Sequence, residues 1–220
     1  LSSTLSTARG FHTTSLTRLS LSHSPGPSSC TLHVLHTLPA LLFADPYELA
    51  HHAHTYAFHL YGPHNLELPA FALDADRSAL VLDVQVPERV EQDTVLELAV
   101  PLHLRYAAPA QGGEESAFVD VTLAPPTAFW ACNTSSMSPC RALSSFADLS
   151  AASSPVPSAL QSYASLPVFE GRELAFHILP AASGAGLVPQ TVSIPVGHLN
   201  DVAFVEFSTI AVVVLCVVYL

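Results

Sequence analysis

The sequence predicts an all-β fold, an antiparallel β-sandwich, followed by a single carboxy-terminal transmembrane helix. Three observations carry that reading. Apolar and polar residues alternate in repeated short runs, the period of strands with one buried face. Eighteen prolines punctuate those runs, which suits turns and edge strands and does not suit long helices. Residues 202–220 form a 19-residue apolar run, which as a helix would be about 28 Å long, close to the depth of a bilayer core.

Residues 1–37 are set apart from the rest. Their first 30 or so positions are rich in Ser, Thr and Leu, with Ser24-Pro25-Gly26-Pro27 as a breaker. They read as disordered or as the remnant of a targeting segment. The body is expected over 38–200. Tyr56, Phe58 and Leu60 fall on one face of a first strand, and Leu80, Leu82, Val84 and Val86 on one face of a second. The cleanest run places Leu96, Leu98, Val100, Leu102, Leu104 and Tyr106 on one face, against Glu97, Ala99, His103 and Arg105 on the other. Further strands are expected at 118–123, 174–179 and 191–196. About seven strands with this spacing point to a sandwich. Residues 135–165, dominated by Ser, Ala and Pro, read as a long surface loop with a short helix at 144–149.

Composition narrows the function classes. Half of the 220 residues are apolar, so one domain of ordinary size can bury a core. Seven arginines and no lysine stand against 18 acidic residues, a net charge of −11. That balance opposes nucleic-acid binding, which needs cations to neutralise phosphates, and equally opposes a polybasic membrane contact. Four cysteines are too few for a disulfide-built scaffold. With Cys216 inside the apolar tail, Cys30, Cys132 and Cys140 remain. The favoured pair is Cys132 with Cys140, closing a short loop around the sequon; unpaired buried thiols are the alternative.

Asn133-Thr134-Ser135 is an N-glycosylation acceptor, which functions only in a lumenal or extracellular compartment. It points to a lumenal body on a membrane helix, against the tail-anchored alternative with a cytosolic body. No basic residue follows the helix to orient it by charge. The sequence opens without Met or a signal peptide, as in a mature chain or a fragment.

No reaction centre stands out. His51, His52, His54, His59 and His64 invite a metal reading, but His54 and His59 lie five apart and face opposite sides of a strand. They are read as solvent-facing imidazoles, with no metal and no cofactor expected. No Gly-x-Ser-x-Gly elbow and no phosphate or dinucleotide glycine pattern occurs. Glu114 and Glu115, beside Gly112 and Gly113, read as a solvated hairpin loop. Arg105, on the polar face of the best strand, is expected to pair with Glu97 or with a partner's acid.

Specific residues then resemble a known family. Leu38-Pro39 leading to Phe43-Ala44-Asp45-Pro46-Tyr47-Glu48-Leu49 is similar to the amino-terminal signature of the PIG-X family. Asn65-Leu66-Glu67-Leu68-Pro69 continues the likeness. It is strongest at Val100-Pro101-Leu102-His103-Leu104-Arg105-Tyr106, followed by Pro109. Residues 119–123 and 125–132 resemble a strand-Pro-hydrophobic-Cys element, and Ile194-Pro195-Val196-Gly197 a closing motif before the membrane helix. The likeness spans residues 38–220. The chain departs from the pattern in a Ser/Ala/Pro insertion after Cys140 and in lacking a basic tail.

The resemblance implies a non-catalytic subunit of the endoplasmic reticulum. Such a subunit stabilises PIG-M, the multi-spanning mannosyltransferase that adds the first mannose to the glycosylphosphatidylinositol (GPI) precursor from dolichol-phosphate-mannose. Ser208, Thr209 and Ala211 would allow close helix approach, and Glu206 would reach the headgroups or a partner's cation. Competing readings are a single-span cell-surface binding or adhesion module, including one whose tail is a GPI-attachment signal near Ser183-Gly184-Ala185, and a metal- or histidine-dependent lumenal hydrolase.

Overall fold

The computed structural model of the chain describes residues 1–21, 30–63, 68–73, 77–87, 94–110, 118–133, 166–170, 174–180 and 187–220. In chain order its strands are β1 (Ser2–Leu5), β2 (His12–Leu21), β3 (Cys30–Pro39), β4 (Leu42–Phe43), β5 (Tyr56–Tyr61), β6 (Arg77–Val84), β7 (Thr94–Leu104), β8 (Phe118–Leu123), β9 (Thr127–Asn133), β10 (Leu174–Ile178) and β11 (Gln190–Pro195). A short helix α1 (Pro46–Ala50) follows β4, and α2 (Val202–Tyr219) closes the chain.

The strands pair antiparallel into a four-stranded sheet, β1-β2-β7-β4, a five-stranded sheet, β10-β9-β3-β6-β5, and a ribbon, β11-β8. Alternation decides what each sheet turns inward. Leu98, Val100 and Leu102 from β7 and Leu19 and Leu21 from β2 meet Leu32, Val34, Leu38, Leu80, Leu82 and Trp130 from the larger sheet. Val121 and Ile194 extend this core from the ribbon. Each such side chain contributes about 1.5–3 kcal/mol by leaving water, so the predicted all-β sandwich stands.

A second apolar layer lies on the outward face of the five-stranded sheet. Leu35, Val81, Phe129 and Ala131 point there, and Phe169 from residues 166–170 closes over them. Because β3 and β9 are covered on both faces, β9 reads as an apolar run and β3 loses its alternation, with His33 and His36 buried on opposite faces of it. That is why the period-two reading missed both.

The amino terminus corrects an expectation. Residues 2–5 and 12–21 are neither disordered nor a remnant; they are β1 and β2, and β2 pairs with β7 along its whole length, from His12↔His103 to Leu21↔Thr94. The misleading signal was composition. Thr13, Ser15 and Thr17 occupy inward positions that apolar residues usually fill, and all three are buried.

The disulfide is a second correction: Cys30 joins Cys132, across directly paired positions of β3 and β9. Cross-strand neighbours bring Cβ atoms within bonding reach although 102 residues separate them in sequence. Cys140, the 135–165 loop, the 144–149 helix and the Glu114-Glu115 hairpin lie outside the described residues.

Residues Leu199–Tyr219 form one helical stretch long and apolar enough to cross a membrane, and none of it is buried against the body. Its hydroxyls are satisfied internally. Ser208 Oγ donates to the Phe204 carbonyl at 2.7 Å and Thr209 Oγ1 to that of Val205 at 2.8 Å, which spares lipid-facing polar groups from going unpaired.

Candidate functional site

β7 ends at Leu104, and the pleat that ruled the strand ends with it. The Leu104 amide donates to the Phe11 carbonyl on the β2 side, and the next amide, of Arg105, donates to the Leu41 carbonyl on the β4 side. By the same parity Pro101 turns its missing N–H toward the β4 side, where β4 pairs only with His103 and Leu104. A proline in mid-strand therefore breaks no ladder bond.

Past the strand, Arg105 and Tyr106 exchange their expected places. Arg105 is 3% exposed, its guanidinium 4.6 Å over the Phe43 ring and its Nη1 donating to the Leu68 carbonyl at 2.8 Å. Burial pushes its pKa down. Glu97 instead holds Arg18, at 2.7 Å on the exposed sheet face. Tyr106, expected to point inward, is 76% exposed and tilts against Phe11, centroids 5.1 Å apart.

The motif at residues 43–49 builds the opposite wall. Asp45 caps α1 by accepting the Tyr47 amide at 2.9 Å, Pro46 opens the first turn, and fully buried Leu49 pins the helix to the core. This sets Glu48 Oε2 2.8 Å from His103 Nε2. The His103 ring stacks on Phe43 at 5.3 Å and meets the edge of His12 at 4.6 Å. Tyr47 stands out into solvent.

Between these walls lies a cleft of about 450 Å³ lined by Phe11, His12, Phe43, Leu68, Pro69, His103, Leu104, Arg105 and Tyr106. Two backbone ties lead from it to the membrane helix. Gly10, whose φ is 109°, donates its amide to the Ser193 carbonyl of β11. The Ala110 amide donates to the Gly197 carbonyl, and Leu199, the first residue of the span, donates to the Ala110 carbonyl. The closing motif thus serves the cleft: Pro195 ends β11 opposite Phe118, and Gly197 receives Ala110.

The remaining expected positions lie elsewhere. Asn133 is exposed at the end of β9. His52 stacks near His54 and Tyr56, and His59 Nε2 lies 3.2 Å from Asp83. Among the described residues no group of three or more His, Cys, Asp or Glu is arranged to hold a metal ion. Asn65, Leu66, Glu67 and His64 are outside the described residues. Phe11 and His12 were missed because their segment carried no periodic signal strong enough to count as a strand.

A second polar string lies on the other sheet. Thr31 Oγ1 is 2.7 Å from His33 Nε2, and His33 Nδ1 is 2.7 Å from Asp83. These are the residue types of a nucleophile-base-acid triad, but His33 is enclosed by Phe129 and Phe169. Burial raises the Asp83 carboxyl, and the closeness of His33 and then His59 outweighs it, leaving its pKa below the ordinary value.

The same segments decide the kinship. A family profile described as PIG-X / PBN1 matches residues 8–220, from just before β2 to the end of α2. The chain belongs to that family. It is 35% identical to Protein pbn1 of Neurospora crassa over 130 residues, 56% of this chain and 25% of that protein. It is 30% identical to Protein pbn1 of Schizosaccharomyces pombe over 118 residues, 51% and 34% of the two chains. With Protein pbn1 of Aspergillus fumigatus the identity is 34% over 139 residues, 56% and 27%. The matched stretch therefore spans about a quarter to a third of these PIG-X / PBN1 relatives. The family match also takes in β2, so His12 lies within it.

Proposed function

We propose that this chain is a non-catalytic, single-span subunit of GPI mannosyltransferase I, its body in the lumen of the endoplasmic reticulum. It binds and stabilises the multi-spanning catalytic subunit of the PIG-M type, which transfers the first mannose from dolichol-phosphate-mannose to the GPI precursor. Catalysis rests with that partner.

The observation that carries this reading is convergence. The family-like segments at 43–49 and 101–106 meet in one cleft, and that cleft is tied through Ala110 to the residues that begin the membrane helix. A body joined to its helix in this way presents one end to whatever lies in the membrane beside it. Family membership supports the role, and the Cys30–Cys132 disulfide with the exposed Asn133 sequon supports a lumenal body carrying an N-glycan.

The test is affinity purification of the tagged chain in mild detergent, with quantification of the mannosyltransferase in cells that lack the chain. The expected outcome is a multi-spanning mannosyltransferase that co-purifies and falls in level on deletion. An enzyme untouched in level and activity refutes the proposal. Complex-type glycans on Asn133 would place the protein beyond the endoplasmic reticulum and favour the cell-surface module.

A further inference from the structure

We propose that the cleft binds the sugar-like headgroup of a membrane glycolipid, an inference that rests on the cleft being the working site named above. Its position is the first argument. Tyr106 is four residues from Ala110, a reach of at most about 14 Å, and Ala110 is bonded to Leu199 at the start of the span. A bilayer adds roughly 5–8 Å of headgroup layer on each side of its hydrocarbon core, so a headgroup projecting from it faces the end of the body that carries the cleft. Exposed Tyr106 and the half-exposed Leu68 form its rim, and tyrosine is a residue that settles at headgroup depth.

The lining is the second argument. A sugar or polyol ring has an apolar C–H face and a hydroxyl edge. Phe11, Phe43 and Tyr106 offer aromatic faces, whose negative quadrupole receives polarised C–H groups. His12 and His103 can donate to or accept from hydroxyls, with Glu48 behind His103 holding its ring in place. The volume lies within the usual range for a small-molecule site of about 300–1,000 Å³.

Charge is the third argument. A chain of net charge −11 gains little from the negative potential of a bilayer. The carboxylate of Glu48 also stands beside the cleft. Arg105, the cation in the lining, is 3% exposed and engaged by the Phe43 ring and the Leu68 carbonyl, so selection comes from hydroxyls and ring faces. The acyl chains would remain in the bilayer beside α2.

The experiment places the full chain in nanodiscs of phosphatidylcholine containing a minor share of either phosphatidylinositol or phosphatidic acid, and weighs the lipid retained after purification. Phosphatidylinositol carries a polyol ring, whereas phosphatidic acid carries only the phosphate. The expected result is about tenfold stronger retention of phosphatidylinositol. Tyr106→Ala and His12→Ala, both surface positions that leave the fold intact, should abolish the preference, and Tyr106→Phe should keep it.

Equal retention of the two lipids, or a preference that survives both alanine variants, overturns the inference. Co-purification of the mannosyltransferase is scored on the parent chain. A parent chain that captures the partner normally but shows no lipid preference refutes the headgroup site and leaves the proposed function standing. A lipid preference with no partner does the reverse.

Discussion

Each outward face of this sandwich carries a close histidine–carboxylate contact. His103 meets Glu48 at 2.8 Å beyond the four-stranded sheet, and His33 meets Asp83 at 2.7 Å beyond the five-stranded one. The groups and distances nearly coincide; their surroundings do not. Phe129, Phe169 and Phe176 pack as mutually tilted or edge-on rings around His33. His103 opens into a cleft instead. The imidazole is thus sealed at 6% exposure on one side and borders a cleft at 15% on the other, while both carboxylates, 35% and 44% exposed, keep contact with water. Which it becomes is decided by what chain folds over it.

The largest effect expected from this contrast comes from the sealed side. Phe129→Ala removes a ring that is 1% exposed and touches His33, Phe169 and Phe176, and should cost about 3–5 kcal/mol in urea unfolding. Phe43→Ala, at the wall of the open cleft, should cost clearly less. Equal losses would mean that the cleft is as much a core as the covered face.

Next in size is the cross-link beneath the covered face. Cys30→Ser should lower stability by about 2–5 kcal/mol, because the bond closes a loop of about a hundred residues in the unfolded chain. Reductant should reproduce that loss in the parent protein and leave the variant unmoved.

Acid separates two further groups by pH window. His36 is fully buried between the sheets, both ring nitrogens lack hydrogen-bond partners among the described residues, and burial lowers its pKa from 6.5 to about 4. Between those values the unfolded chain binds the proton and the folded chain does not. Stability is therefore full above pH 6.5 and falls as pH drops to about 4, by on the order of 3 kcal/mol. His36→Leu should abolish that slope and stabilise the protein by about 1–3 kcal/mol at neutral pH. Asp83 acts lower. Its depressed pKa gives stability that is present above the unfolded value of 3.8 and lost as pH falls below it, so Asp83→Asn should flatten only that lower limb.

How much of this the sequence announces follows from where each residue sits. β7, β8 and β11 were legible because their alternation marks one buried face, and β5, β6 and β10 because their sequences alternate although β6 is covered on both faces and β10 is half-buried throughout. β3 and β9, buried on both faces, carry no alternation, and β2 hides its inward row behind Thr13, Ser15 and Thr17. The motif residues of the cleft were found through family likeness, but periodicity put Arg105 outside and Tyr106 inside. Period two describes a pleat, and the pleat stops at Leu104. Residues just beyond a strand end obey backbone hydrogen bonds to Leu41 and Phe11, which only the fold supplies.

The smallest stability change tests the comparison most sharply. Glu48→Gln leaves α1 capped by Asp45 and anchored by Leu49, since neither contact uses the carboxylate. Glu48 is 44% exposed, and a partly solvated contact of that kind contributes about 1 kcal/mol or less. The melting temperature should hardly move. The His103 ring, however, exchanges an ionised, acceptor-only carboxylate for a neutral amide that can present either its oxygen or its N–H, which fixes the ring less firmly in the cleft, so capture of the proposed mannosyltransferase partner in mild detergent should weaken although the body remains folded. A Glu48→Gln protein that unfolds as readily as one lacking Asp83 would make both contacts scaffold. Undiminished capture would show that the open contact positions nothing. Stability retained with capture lost is the combination that an exposed, positioning contact produces and a sealed one does not.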